Sequence, residues 1–233
     1  METINELALF AGVGGGLLAS RLLGWRTVCA VEKDEYASRV LMQRQDDGAL
    51  PPFPIWDDIH TFDGTPWRGL VDVISGGFPC QAFSTAARGR NVAADLWPEM
   101  LRVVGVVEPR FVFAENVSRK AIDTACDDLE ALGYETRAVA LSASDVGADH
   151  VRKRYWLLAY ADDESKLLRG FNAKMALSAL VQNRVWSSNP GESGVVDGLA
   201  NRVERFRAVG NGQVPLVAVC ALLSLCLGAS QLC

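Results

Sequence analysis

The stretch that decides the fold is 7-LALFAGVGGGLLASRLLGWRTVCAVE-32. Leu7-Ala8-Leu9-Phe10 is a short apolar run of the kind that fills a buried strand, and Gly12-Val13-Gly14-Gly15-Gly16 turns the chain. Leu17 to Leu23 then reads as a helix that stops at Gly24. Thr27 to Val31 reads as a second strand, closed by Glu32. In open α/β sheets, ligands bind beyond the carboxyl ends of the strands. Glycines at that place let a ligand approach the backbone beside a helix N-terminus. Glu32 lies 20 residues after Gly12, where a carboxylate accepts both hydroxyls of a ribose. This spacing fits an adenosine-containing cofactor and does not separate a dinucleotide from S-adenosylmethionine. The plainer alternative is a tight strand–helix turn with no ligand.

Alternation of strand and helix continues outward from this unit. Asp34 to Arg44 has helical spacing, Val71 to Ile74 is a buried strand, and Leu96 to Val107 is a helix. Arg110 to Ala114 is a strand, Ala121 to Leu132 a helix stopped at Gly133, and Glu135 to Leu141 and Tyr155 to Tyr160 are two later strands. Such alternation predicts an α/β fold, a doubly wound, mostly parallel sheet with helices on both faces. The pattern breaks after Ala161. Residues 162–208 are polar and irregular, as in a small subdomain, and 214-VPLVAVCALLSLCLG-228 then returns as an uncharged core helix. That helix is too short to span a bilayer, which takes ~20 apolar residues, and Pro215 suits its first turn.

The chain of 233 residues is 49% hydrophobic and 22% charged, as expected for one soluble α/β domain with a small appendage. Met1-Glu2-Thr3 lacks the basic and apolar regions of a secretory leader. The six cysteines, at 29, 80, 126, 220, 226 and 233, contain no CxxC pair, and His60 and His150 lie far from any cysteine cluster. Neither a structural metal nor a disulfide framework is expected, and the thiols read as reduced in a cytoplasm. The net charge of −5 is unevenly spread. Residues 1–149 carry 13 basic and 22 acidic side chains, whereas residues 150–207 carry 10 basic and 6 acidic. A polyanion would meet the later part of the chain.

Three further stretches carry chemistry. In 75-SGGFPCQAFS-84, Cys80 follows Pro79 just after the Val71–Ile74 strand, on the same edge as Gly12 and Glu32. The next strand ends in 113-FAENV-117, which brings Glu115 and Asn116 to that rim. In 150-HVRKRYW-156, Arg152 and Arg154 alternate and share one face of an incipient strand. A thiol, a carboxyl, an amide and two guanidiniums on one rim form an active-site constellation.

These residues together resemble the DNA (cytosine-5) methyltransferases of bacteria and phages. Phe10-Ala11-Gly12-Val13-Gly14-Gly15 is similar to the family's cofactor loop, Pro79-Cys80-Gln81 to its nucleophile loop and Glu115-Asn116-Val117 to its Glu-Asn-Val signature. Arg152-Lys153-Arg154 is similar to its Arg-x-Arg pair, and Gly210-Asn211 with Val214-Pro215 to its closing motif. The matches run in the family's order over residues 7–160 and 201–227. The resemblance implies methyl transfer from S-adenosylmethionine to carbon 5 of cytosine in double-stranded DNA, with S-adenosylhomocysteine as product, no metal and no membrane. It also implies a restriction-modification setting, with a cognate endonuclease or a second copy of the chain as partner. A tRNA cytosine-5 methyltransferase and a catalytically silent DNA-binding relative are the alternatives.

The resemblance also implies roles. Cys80 adds to carbon 6 of the ring, and Glu115 serves N3 and the exocyclic amine. Arg152 faces O2, Arg154 orients Glu115, and Asn116 braces the Pro79–Cys80 backbone. For the cofactor it implies Phe10, Ala11, Gly12, Gly14, Gly15, Glu32, Asp58, Ile59, Leu96 and Asn211. For nucleic acid it implies Gln81, Ser84, Arg88 and Arg90 after the nucleophile, and Lys166, Arg169, Lys174 and Arg184 in the recognition segment. Its division of the chain is 1–161 for catalysis and cofactor, 162–200 for target recognition, and 201–233 for the closing motif and terminal helix. Four positions depart from the family's habit: Ala8 for Asp, Lys33 for an aromatic, Asp95 for Gly and His150 for Gln. The recognition segment is also short. With each bidentate base contact discriminating by ~1–3 kcal/mol, so few side chains imply a short or degenerate target of roughly two to four base pairs.

Overall fold

In the computed structural model, which describes residues 3–80, 95–161 and 212–227, the sheet grows from its middle. Strand β1 (Asn5–Leu9) leads through the glycine turn into α1 (Gly15–Leu23) and back to β2 (Arg26–Val31), which pairs parallel to β1. Helix α2 (Glu35–Asp46) begins where the Asp34 carboxylate accepts from the Ala37 amide, a side-chain cap for an otherwise unpaired donor. The two-residue β3 (Ile55–Trp56) extends the sheet beyond β2. On the other side of β1 lie β4 (Val73–Gly77) and β5 (Phe111–Asn116), both parallel and joined by a crossover that includes α3 (Trp97–Val107). Helix α4 (Arg119–Ala131), β6 (Glu135–Leu141), β7 (Arg154–Tyr160) and α5 (Pro215–Leu227) complete the described residues. The seven strands stand in the order β3-β2-β1-β4-β5-β7-β6.

Period-two alternation divides the core. From β5, Val112 and Ala114 face Met100, Val103 and Val107 of α3 and Ile122 and Leu129 of α4. Phe111 and Phe113 face the other way, with Trp156 and Leu158 of β7, onto Leu23 of α1 and Val217, Ala221 and Leu222 of α5. All six residues of β5 are buried, which explains their near-continuous apolar reading. Helix α5 is apolar on nearly every side, as befits a helix wedged between α1 and the β6–β7 edge. Among the described residues no helix is long and apolar enough to cross a membrane. None of the five described cysteines is in a disulfide.

The sheet refines the sequence reading in three places. The strand expected over Val71–Ile74 runs instead from Val73 to Gly77, so Ser75-Gly76-Gly77 is strand and not turn. Pairing with β1 on one side and β5 on the other overrides the low strand propensity of glycine, and Gly76 is needed there. A Cβ on it would stand 2.6 Å from the Leu9 carbonyl oxygen. Ile55-Trp56 forms a strand that two residues are too few to announce by periodicity. Finally, β7 runs antiparallel to both β5 and β6, inserted between two strands that precede it.

A buried acid underlies this framework. Glu6, on β1, is fully buried; the Ser20 hydroxyl of α1 and the Ser75 hydroxyl of β4 bond its Oε1, and the Thr27 hydroxyl of β2 bonds its Oε2. Burial pushes its pKa above the ordinary carboxyl value of 4.5, and the three hydroxyls pull the other way. Because the folded value is the higher one, this contribution to stability is complete below pH 4.5 and is lost as pH rises through the native value. In Glu6→Gln this dependence disappears. The unfolding free energy of the wild type should fall relative to the variant by about 1.4 kcal/mol per pH unit across that window, read by urea titration at a series of pH values.

Candidate active site

The carboxyl ends of β1, β2, β4 and β5 form one rim. After Leu9 the backbone turns into the left-handed region, with φ of 54° at Phe10, 54° at Gly12 and 87° at Gly14. The turn is pinned where Ala11 N donates to Val31 O and Gly12 N donates to Glu32 Oε2 at 2.6 Å. Glu32 Oε1 accepts from Asp34 N at 2.7 Å, so this half-buried carboxylate welds the end of β2 to the glycine turn. Burial raises its pKa, against the pull of the backbone donors. A cavity opens beside the turn, lined by Leu9, Phe10, Gly12, Gly76, Gly77 and Gln213. A Cβ on Gly12 would meet nothing within 4 Å, so the turn presents open backbone to that space. Gly14 precedes α1 without a side-chain cap, leaving the helix start available to a ligand's carboxylate. An adenosine-containing group with an amino-acid tail fits this donor set.

Of the other cofactor residues implied by the resemblance, Asp58 and Ile59 follow β3 in the chain. The Asp58 carboxylate meets Lys33 Nζ at 2.8 Å and His60 Nδ1 at 2.7 Å, and these partners hold its pKa well below the usual carboxylate range. Ile59 is buried in the core under α3. Leu96 precedes α3, and its amide donates to the Pro79 carbonyl at 3.1 Å.

That last bond also positions the thiol. Beyond β4, the Phe78 ring packs on Trp97 with centroids 4.9 Å apart, and the Phe78 carbonyl accepts from Asn116 Nδ2 at 2.9 Å. Residues 78–80 are thus tied to β5 on one side and to the start of α3 on the other, with half-buried Cys80 at their end. Glu115 pairs in register with Gly77 of β4 and Trp156 of β7. Its side chain is 9% exposed, and its Oε1 meets Arg154 Nε at 2.9 Å. Burial raises its pKa, while Arg154, Arg152 and Gln213 act to lower it. Arg152 stands just before β7, and its guanidinium donates to the Gly212 carbonyl at 2.7 Å. Burial and the neighbouring Arg154 lower its pKa, and Glu115 opposes them.

Gln213 is the residue that sequence reasoning passed over. It lies between the two halves of the closing motif, and its only signal was that adjacency. Gln81, Ser84, Arg88, Arg90, Lys166, Arg169, Lys174, Arg184 and Asn211 lie outside the described residues. Among the described residues no cluster of three or more His, Cys, Asp and Glu could hold a metal ion.

The seven-stranded sheet with this rim is the Rossmann-like fold of S-adenosylmethionine-dependent methyltransferases. It aligns with Spodoptera frugiperda DNMT2 at a TM-score of 0.55 and 21% identity, over 68% of this chain and 50% of that one. The family described as C-5 cytosine-specific DNA methylase matches residues 4–205, and the chain belongs to it. Relatives include the Type II methyltransferase M.PspPI of Psychrobacter sp. (strain TA137), 35% identical over 58% of this chain and 34% of that protein. The Type II methyltransferase M.CviJI of Paramecium bursaria Chlorella virus IL3A is 29% identical over 69% of this chain and 44% of that protein. The chain spans less than half the length of these two relatives.

The Glu115–Arg154 pair allows a direct check. Arg154→Ala leaves a buried carboxyl without its ionic partner, which should lower stability by about 3 kcal/mol near pH 8. The loss should shrink near pH 5, because Glu115 then takes up a proton instead of carrying a buried charge. Chemical denaturation of both proteins at the two pH values measures the difference.

Proposed function

We propose that this chain transfers the methyl group of S-adenosylmethionine to carbon 5 of cytosine in DNA, with Cys80 as the nucleophile. The observation that carries this reading is the buried Glu115 clamped by Arg154, beside the braced Phe78–Cys80 loop and next to the glycine-lined cavity. The names of the relatives, Type II methyltransferases, support the reaction class.

Carbon 5 of cytosine is a weak nucleophile. Attack of the Cys80 thiolate on carbon 6 forms an S–C bond and pushes an electron pair toward N3, leaving carbon 5 electron-rich. The charge at N3 must be neutralised, and a carboxyl whose pKa is raised by burial is suited to hold the proton for it. Arg154 fixes the rotamer of that carboxyl through Oε1, so the proton is carried on the other oxygen. Arg152 adds positive charge at the rim, where the adduct is anionic. When bound, S-adenosylmethionine supplies the methyl group, and Glu32, Phe10 and the Gly12–Gly15 backbone would hold it. The carbon-5 proton is then lost to solvent base, the S–C bond breaks, and the N3 proton returns to Glu115. A paired base cannot reach the thiol, so the cytosine leaves the duplex first. Double-stranded DNA in the cytoplasm is the proposed substrate, with an endonuclease or a second copy as the proposed partner.

Cys80→Ser should lose nearly all turnover, because a hydroxyl is far less nucleophilic near neutral pH. A duplex carrying 5-fluorocytosine should trap the wild type as an adduct stable to denaturation. Trapping by Cys80→Ser would overturn the assignment, and methylcytosine appearing in tRNA but not DNA would redirect the substrate.

Glu32→Ala tests the cofactor reading separately. Losing the carboxylate partner of two ribose hydroxyls should cost on the order of 1–3 kcal/mol, a rise of roughly tenfold or more in the S-adenosylmethionine Kd by calorimetry.

A further inference from the structure

We propose that Gln213 is a positioning residue for Glu115, holding the oxygen that must carry the proton in either ionisation state. The assignment rests on the reading of Glu115 as the carboxyl that serves cytosine N3. Gln213 Nε2 lies 3.5 Å from Glu115 Oε2, the oxygen not taken by Arg154. At the other end of the carboxamide, Oε1 sits against the first turn of α1. A Cβ built on Gly16 would come within 2.5 Å of it. The amide group therefore reaches from the glycine turn to the catalytic carboxyl.

The surroundings are shaped to admit this side chain and to hold its backbone. A Cβ on Gly15 would stand 2.1 Å from the Gln213 carbonyl oxygen, and one on Gly77 would stand 3.1 Å from Nε2 and 2.7 Å from Glu115 Oε2. Three glycines on two elements, α1 and β4, thus leave out a side chain where Gln213 passes. Arg152 pins the preceding Gly212 carbonyl at 2.7 Å, and Pro215 starts α5 two residues later. Segment 212–214 is a strut from the arginine pair to the core helix, and Gln213 is its inward-facing member.

A primary amide is the side chain that suits both states of a carboxyl. Its NH2 donates to the carboxylate, and after a half-turn about its last torsion its oxygen accepts from the carboxylic acid. A glutamate in this place would repel the carboxylate, and a methionine would offer neither bond. Oε1 of Glu115 is committed to Arg154, so the proton enters and leaves at Oε2, the atom Gln213 addresses. The long 3.5 Å contact is one that an arriving base can displace. The charged groups facing Glu115 from the packed elements are Arg154 and Arg152, and Gln213 is the neutral group that completes them.

The test reads the Glu115 proton directly. The protein is labelled with carboxyl-13C glutamate, the Glu115 signal is assigned by its absence in Glu115→Gln, and its titration is followed by NMR. The charge-assisted bond from the NH2 to the carboxylate is stronger than the neutral bond to the acid, so losing it in Gln213→Met should move the midpoint up by roughly half a pH unit to one unit. Gln213→Glu, nearly isosteric and carrying a like charge, should move it further up. The arm of the methylation pH profile that Glu115 governs should move with the NMR midpoint. Midpoints unchanged from wild type in both folded variants overturn the proposal, whether or not DNA is methylated. Shifted midpoints in a protein that methylates no nucleic acid keep the Gln213 assignment and instead sink the proposed function.

Discussion

A carboxyl at the buried end of a central strand demands compensation, and the chain's response organises the rim. Glu115 is the penultimate residue of β5, which is covered on both faces and flanked by strands on both sides. Its positive partner has to come from a neighbouring element at the same end of the sheet. The reversed β7 provides it. A strand parallel to β5 would bring its own last residues to this rim, after an apolar run. An antiparallel strand brings its start, where Arg152 and Lys153 lead into Arg154, the first residue of β7. The one break in the sheet's direction is therefore what delivers two guanidiniums to the carboxyl.

Packing then fixes how much each group can move. Asn116 follows Glu115 on the same strand and holds the Phe78 carbonyl, so the position of the thiol loop is set by the strand that carries the acid. Leu96 holds Pro79 from the far side, through the start of α3. The glycine turn is fastened to Glu32, and the strands beneath it are fastened to one another through Glu6. The rim residues are thus held by hydrogen bonds that mostly join a side chain to another element, and such bonds are costly to break in a buried site.

The glycine turn, the helix after it and the position of Glu32 were legible because each depends on local sequence: apolar runs, missing side chains and fixed spacing. The rim residues Cys80, Glu115, Asn116, Arg152 and Arg154 were legible because they sit at strand ends that periodicity can locate. The extension of β4 through Ser75-Gly76-Gly77 was not, since its cause is the pairing on both sides and not the residues' own preference. Glu6 was hidden for a related reason. An acid near the start of a strand looks exposed until three hydroxyls from other elements are seen to converge on it. The reversal of β7 and the reach of Gln213 are products of tertiary placement and leave no periodic trace.

The path of the chain around β7 has a consequence for how this protein can change. Ala161, just past β7, bonds to the Arg110 carbonyl at the edge of the sheet opposite the rim, whereas Gly212 is held at the rim itself by Arg152. The stretch 162–211 therefore connects two points separated by the height of a seven-residue strand, roughly 23 Å at 3.3 Å per residue. Fifty residues have far more reach than that span requires, at up to about 3.3 Å each. The span between those two points therefore sets no tight limit on the number of residues over 162–200. A change of length there does not by itself strain the strand register or the carboxyl–guanidinium pair, so the chain can lengthen or shorten at that place without rebuilding the sheet.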